Sequence, residues 1–226
     1  MKKFTHIILI GMMTALMMSV TSCLDEHIEP VDLTLKVGNV YCHNGSVYPV
    51  NHCTQQTDLQ PVGVVVAVGG ENDSWQALVM GLHDIGKACY LDDTASEIKG
   101  ISTDTDAFDG KQNTSALIQA MADDKSVRPE AALMVAAYTE GGTSGWHLPS
   151  VAELRMAAVN RWAIHNAINA VGGEPFSDDW YQTSTTDGSS SETEMLYNYC
   201  VILPEGRVVS ENKTVEHRVR PFLILR

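Results

Sequence analysis

The run Pro61-Val62-Gly63-Val64-Val65-Val66-Ala67-Val68, closed by Gly69-Gly70, constrains the fold more than any other segment. A half-exposed strand alternates apolar and polar residues, because successive side chains point to opposite faces. This run does not alternate. Its β-branched residues favour an extended backbone, and an unbroken apolar strand needs a covering layer on each face. The rest of the chain must therefore supply strands beside it and packing elements above and below. Trp75-Gln76-Ala77-Leu78-Val79-Met80 reads as the first partner, returning across the intervening Gly-Glu-Asn-Asp turn.

Upstream, Lys36-Val37-Gly38-Asn39-Val40-Tyr41 and Val47-Tyr48-Pro49-Val50 flank His43-Asn44-Gly45-Ser46. Asn-Gly between apolar runs is a strong hairpin signal, since both residues tolerate positive φ. Tyr90 to Asp109 is rich in Asp, Thr, Ser and Gly and reads as a long surface loop. Three helical segments follow. Asn113 is the expected N-cap of a helix over 114–123, and Pro129 opens another through Tyr138, closed by Gly141-Gly142. Ser150-Val151-Ala152-Glu153 has capping-box spacing and starts the third. Its expected apolar stripe is Val151, Leu154, Ala158 and Trp162, and Gly172-Gly173 ends the helical region. Strands then resume: Trp180 to Thr185, a hairpin of Met195–Leu203 and Arg207–Val209 around Pro204-Glu205-Gly206, and a last strand from Val219 to Leu225. This order predicts an α+β domain of mixed, mostly antiparallel strands, with two to three helices inserted between its N- and C-terminal strands.

The N-terminus predicts export. Lys2 and Lys3 precede an apolar run from Ile7 to Val20, shorter than the ~20 residues that span a bilayer. The run ends in Val20-Thr21-Ser22-Cys23, which resembles a bacterial lipobox. The resemblance implies a signal peptide over residues 1–22, lipidation at Cys23 and a polar tether over residues 23–34. Leu24-Asp25-Glu26 resembles the export signal of surface-exposed lipoproteins. The expected location is therefore the outer membrane, held through the lipid anchor and facing outward. The net charge of −13 disfavours nucleic acid as a partner.

From residue 35 to the end, several segments in order resemble one bacterial family. They are the opening hairpin with Asn44-Gly45, the strand at Pro61–Val65, Asp109-Gly110-Lys111-Gln112-Asn113-Thr114, and Gly145-Trp146-His147-Leu148-Pro149-Ser150 running into a helix. The end of that helix at Ala167 to Pro175, Tyr181-Gln182-Thr183-Ser184-Thr185, Lys213-Thr214 and Arg218-Val219-Arg220-Pro221-Phe222 complete the series. The family is that of the Lcl C-terminal domain and the Fibrobacter succinogenes major paralogous domain. The resemblance implies a C-type lectin-like fold over residues 35–226, working outside the cytoplasm as a non-catalytic binder of glycan or protein. Gln182 stands where relatives carry Trp, and the Glu-Pro-Asn and Trp-Asn-Asp signatures of calcium-dependent sugar binding are absent.

Of the chemistry-bearing residues, Tyr181, Gln182, Asp187, Tyr197, Asn198 and Tyr199 are the expected ligand-binding set. Tyr, Asn and neighbouring Ser make adaptable contacts at low entropic cost. Alternation puts Tyr197 and Tyr199 on one face. Beyond Cys23 there are four cysteines, which allow three pairings, and Cys42 with Cys53, flanking the first hairpin, is the expected local disulfide. Asp104 to Gly110 resembles a calcium loop but places Phe108 fifth and Asp109 sixth, the wrong register. No Cys-x-x-Cys or His-x-x-x-His spacing suggests a metal, no motif calls for a cofactor, and no serine elbow, phosphate loop or His-Glu-x-x-His suggests an enzyme. Three rival roles remain on the same scaffold: a diversified receptor, a structural subunit of a surface fibre, and an oxidase of the formylglycine-generating type using Cys200.

Overall fold

The computed structural model describes residues 31–71, 73–92, 98–191 and 196–226; the expected signal peptide, Cys23 and most of the tether lie outside them. The strands form two five-stranded sheets. The first has the order β10 (Phe222–Leu225), β4 (Ala77–Gly81), β3 (Pro61–Val68), β1 (Val40–Cys42), β2 (Val47–Tyr48), with every neighbour antiparallel. The second runs β5 (Gly86–Ala88), β9 (His217–Val219), β6 (Asp179–Thr186), β7 (Tyr197–Leu203), β8 (Arg207–Asn212), antiparallel except where β6 meets β9. Five helices accompany them among the described residues: α1 (Val50–Gln55), α2 (Gly110–Asp123), α3 (Glu130–Ala137), α4 (Val151–Val159) and α5 (Arg161–Ala170). The chain is therefore α+β, with more helices than the two to three expected. None of the described helices is long and apolar enough to cross a membrane.

Strand β3 is buried on both sides, as its composition requires. Val62, Val64, Val65 and Val66 are all fully buried. Val64 and Val66 join a core with Leu78, Met80, Leu154, Ile164, Val201 and Phe222, and Val62 and Val65 face a second cluster with Val79, Trp146 and Leu223. Helix α4 contacts β3 of the first sheet and β6 and β7 of the second. It is the wedge between the two sheets. Its Leu154 is wholly enclosed, and truncating such a residue to alanine costs about 2–5 kcal/mol.

The capping box that starts α4 forms as its spacing predicts. Glu153 N donates to Ser150 Oγ at 3.3 Å, and Ser150 N donates to Glu153 Oε2 at 3.0 Å. The preceding turn is tied to the last strand, because His147 and Phe222 exchange backbone hydrogen bonds of 2.8 and 3.0 Å. The residues Gly145 to Ser150 thus join a sheet edge to a helix start.

Several boundaries differ from the sequence expectation, each for a tertiary reason. Val50 does not extend a strand but begins α1, immediately after Pro49. Helix α2 starts at Gly110 instead of after Asn113. Asn113 lies inside the first turn, where its Nδ2 donates to Asp109 Oδ1 at 2.8 Å and its Oδ1 accepts from Ser102 N at 3.0 Å. The expected surface loop begins with Tyr90 and Leu91, both buried against Leu117 and Ala132.

The expected third helix is two helices, broken at Asn160. A register shift in β3 between Val65 and Ala67 interrupts the ladder, and Asn160 Nδ2 donates to the Val66 carbonyl there at 2.9 Å. Helix α5 buries Ile164, Ala167 and Ile168, while Trp162, expected in the apolar stripe, is left 71% exposed.

The expected last strand is likewise two strands in different sheets. It divides at Arg220-Pro221, with β9 in the second sheet and β10 in the first. Arg220 is fully buried and donates from Nη1 to Asp84 Oδ1 at 2.8 Å and from Nη2 to the Glu174 carbonyl. Asp84 Oδ2 also accepts from Arg218 at 3.1 Å and from the Tyr181 hydroxyl at 3.0 Å. A buried guanidinium is tolerable only when partnered in this way.

Candidate functional site

The structure separates the six residues expected to face a ligand. Tyr181 belongs to the core, where its hydroxyl donates to Asp84 and accepts from Ser177 N at 2.8 Å. Gln182 and Asn198 are fully buried as well. Asn198 Nδ2 donates to Gln182 Oε1 at 2.8 Å, and the Cys200 thiol donates to the same oxygen at 3.1 Å. Gln182 Nε2 in turn donates to the Ala88 and Val215 carbonyls, both at 3.2 Å. The end of β5 and the turn between β8 and β9 therefore cover this side of the sheet, while α4 covers the other. Tyr181, Gln182 and Asn198 are framework residues with no surface to offer a ligand.

Tyr197 and Tyr199 do share a face, both half-buried, and Asn198 lies on the opposite one. Tyr199 pairs across the ladder with Ser210, and both converge on Asp187. The Tyr199 hydroxyl donates to Asp187 Oδ1 at 2.9 Å, Ser189 N to the same oxygen at 2.9 Å, and Ser210 Oγ to Oδ2 at 2.5 Å. Burial of Asp187 works against its charge, but the hydrogen bonds from Ser210, Ser189 and Tyr199 outweigh it and hold the carboxyl below its ordinary value. Burial raises the Tyr199 phenol, and the adjacent carboxylate raises it further. The cluster is thus an anionic pin with its donors already in place. It orders the end of the second sheet and offers a ligand little that is unpaired.

The first sheet carries a feature that sequence reading missed. Where β3 turns into β4, a cleft of about 500 Å³ opens, lined by Leu35, Glu71, Asp73, Trp75, Gln76 and Arg226. Glycine makes the turn possible, since a Cβ on Gly69 would lie 2.1 Å from the Trp75 carbonyl oxygen. Gly70 N donates to Asp73 Oδ2 at 2.6 Å, and Gln76 N to the Leu225 carbonyl at 2.8 Å, which brings the last strand to the cleft wall. The Trp75 ring is supported by Phe108, with centroids 5.6 Å apart and planes at 23°. A second hollow of about 510 Å³ shares Leu35, Gln76 and Arg226 with the first and reaches Tyr41 and Ser144. The two hollows adjoin through these three shared residues. A Trp close behind Gly-Gly was the only sequence signal, and Leu35 and Arg226 lie too far along the chain to be associated with it.

An indole beside carboxylates, an amide and a guanidinium suits a polar ligand with apolar patches, such as a sugar or an extended peptide. Ser74 adds a hydroxyl to the cleft lining, and Ser46 and Ser144 add two to the second hollow. The four described cysteines are buried. Burial, with added repulsion from Glu211, pushes the Cys200 thiol far up, which keeps it protonated and inert. Among the described residues no group of three or more His, Cys, Asp or Glu side chains converges to hold a metal ion. Cys42 and Cys53 lie side by side, with their sulfurs 3.2 Å apart.

No protein-family model, curated protein or solved structure matches the chain.

Proposed function

We propose that this chain is an exported lipoprotein, acylated at Cys23 and displayed at the outer-membrane surface, whose C-type lectin-like domain binds a glycan or protein without catalysis. The observation that carries the binding part is the cleft beside Trp75, an open site with an aromatic wall and charged, amide and hydroxyl groups. The lectin-like part is supported by the order of the family-like motifs and by what they do here. The Trp146–Ser150 turn starts a capped helix between two sheets, and the last strand returns to the sheet of the first. The display part is supported by the lipobox-like Val20–Cys23.

The test is a glycan array and a surface-protein pull-down with the mature chain, beside a Trp75→Ala variant. Loss of the indole is expected to weaken binding about tenfold or more, in line with an aromatic anchor. A ligand bound equally well by the variant refutes this location of the site. Labelled palmitate incorporation that survives Cys23→Ser refutes the anchor.

A second reading, a structural subunit of a surface fibre, draws on Val159 and Trp162, which are 73% and 71% exposed. A strictly monomeric mature chain at high concentration removes it. The oxidase reading gains nothing from Cys200, sealed beneath Gln182 and Asn198.

A further inference from the structure

We propose that in the exported protein Cys42 and Cys53 are joined by a disulfide while Cys89 and Cys200 remain thiols. The proposal goes beyond the binding role and depends on the preceding reading only through export to an oxidising compartment.

Four cysteines allow three pairings, and the fold selects one. Cys42 ends β1 and Cys53 lies in α1, with sulfurs 3.2 Å apart inside a cluster of Val40, Tyr48, Val50, Leu59 and Val171. A disulfide needs about 2.05 Å, so closure requires an approach of roughly 1.2 Å. Cys200 is occupied elsewhere, its sulfur held by Gln182 and Asn198 within the second sheet. Cys89 follows β5 among the charges of Glu130, Asp92 and Glu216.

The segment between the two sulfurs has little regular structure of its own. Strand β2 is two residues long and, among the described residues, pairs only with β1 at the sheet edge. Helix α1 has six residues and no side-chain cap. A helix that short does not hold itself in water. A covalent tie from β1 to α1 fixes both elements against the body of the fold and removes conformational freedom from the unfolded chain.

The chemistry balances with oxidised glutathione as the acceptor. One cysteine thiolate attacks a glutathione sulfur and releases one glutathione. The second cysteine thiolate then displaces the other, so two protons and two electrons leave the protein as two glutathione thiols. In the closed fold, burial, together with the hydrogen bond and repulsion from Cys53, pushes the Cys42 thiol up to about 12.

The mature full-length chain, purified from envelopes without reductant, is unfolded, alkylated and peptide-mapped. Linked Cys42 and Cys53 peptides with alkylated Cys89 and Cys200 are expected. Alkylation at Cys42 or Cys53, or a bond from either to Cys89 or Cys200, overturns the assignment. A parallel sample is reduced, unfolded and refolded with oxidised glutathione. A link that forms there but is missing from envelope protein overturns the proposal at export, and a link in neither overturns it at the geometry. Dithiothreitol is expected to lower the melting temperature of the wild type by about 5–10 °C, and to leave a Cys42→Ser/Cys53→Ser variant unchanged. If that variant does not fold, the wild-type comparison with and without reductant still decides. A wild type insensitive to reductant overturns the proposal.

Discussion

Replacing Gly110 by alanine tests the junction where α2 and α4 meet. Gly110 is the buried first residue of α2, and an added Cβ would lie 2.3 Å from Glu153 Oε2, 2.7 Å from Ser150 N and 2.8 Å from Leu148 O. Ordinary contact begins at 3.4 Å, so the carbonyl must retreat by roughly 0.6 Å and the carboxylate by roughly 1.1 Å. Neither can move freely. Two of the three atoms are backbone, and the carboxylate is held by Ser150 N and by His147 Nε2 at 3.1 Å, in a pocket where both His147 and Glu153 are buried. Helix propensity alone favours alanine by about 1 kcal/mol, so the sign of the effect is itself informative. Overpacking costs about 1–3 kcal/mol and a broken capping box about 1 kcal/mol. The expected net loss is about 2 kcal/mol, or roughly 4–8 °C in melting temperature. Urea unfolding followed by circular dichroism should show a lower midpoint at unchanged m-value. Gly70→Ala is the control, since its nearest new neighbour is Asp73 Oδ2 at 3.5 Å. It should change stability by no more than about 0.5 kcal/mol. Adding Glu153→Ala to Gly110→Ala should give a coupling of about 1 kcal/mol or more, because the two side chains compete for one space. A Gly110→Ala protein as stable as wild type, or strictly additive with Glu153→Ala, refutes the close-packed junction.

Tyr181→Phe removes a buried hydroxyl that serves both Asp84 and Ser177 N, and should cost about 1–3 kcal/mol in urea unfolding; a loss below about 0.5 kcal/mol contradicts the bridging role. Acid should destabilise the protein in two stages. His165 and His217 are held below their ordinary values by burial, so the unfolded chain takes up their protons first and stability declines as pH falls below about 6.5. Asp187 is also depressed, so its contribution is full above about pH 4 and is lost as pH falls through its lower folded value. Asp187→Asn should flatten that second stage in a melting-temperature profile against pH, and an unchanged acid limb would show that the carboxylate does not carry it.

Much of the backbone plan is legible locally. Strand β3 follows from its unbroken β-branched run, the start of α4 from Ser150 and Glu153, and the β7–β8 hairpin from Pro204-Glu205-Gly206 between apolar runs. In each case the deciding interactions lie within a few residues. The candidate site is less legible. Asp187 and Tyr199 do come together, but Gln182 and Asn198 read as polar surface only until Ala88 and Val215 are known to cover them. Polarity along a strand says which groups need hydrogen bonds. It does not say whether water or protein supplies them.

The amino-acid order by itself determined the alternation of strands, helices and strands, the doubly buried strand and the capped helix, because propensity, periodicity and capping act over short stretches of chain. Only the tertiary structure decided that Asn160 would break a helix to reach the Val66 carbonyl, and that Arg220-Pro221 would hand one apolar run to two sheets. It alone joined Leu35, Trp75 and Arg226 around one cleft. These outcomes depend on satisfying buried polar groups and filling space with partners that are distant in sequence, and short-range pattern carries no information about which distant partner arrives.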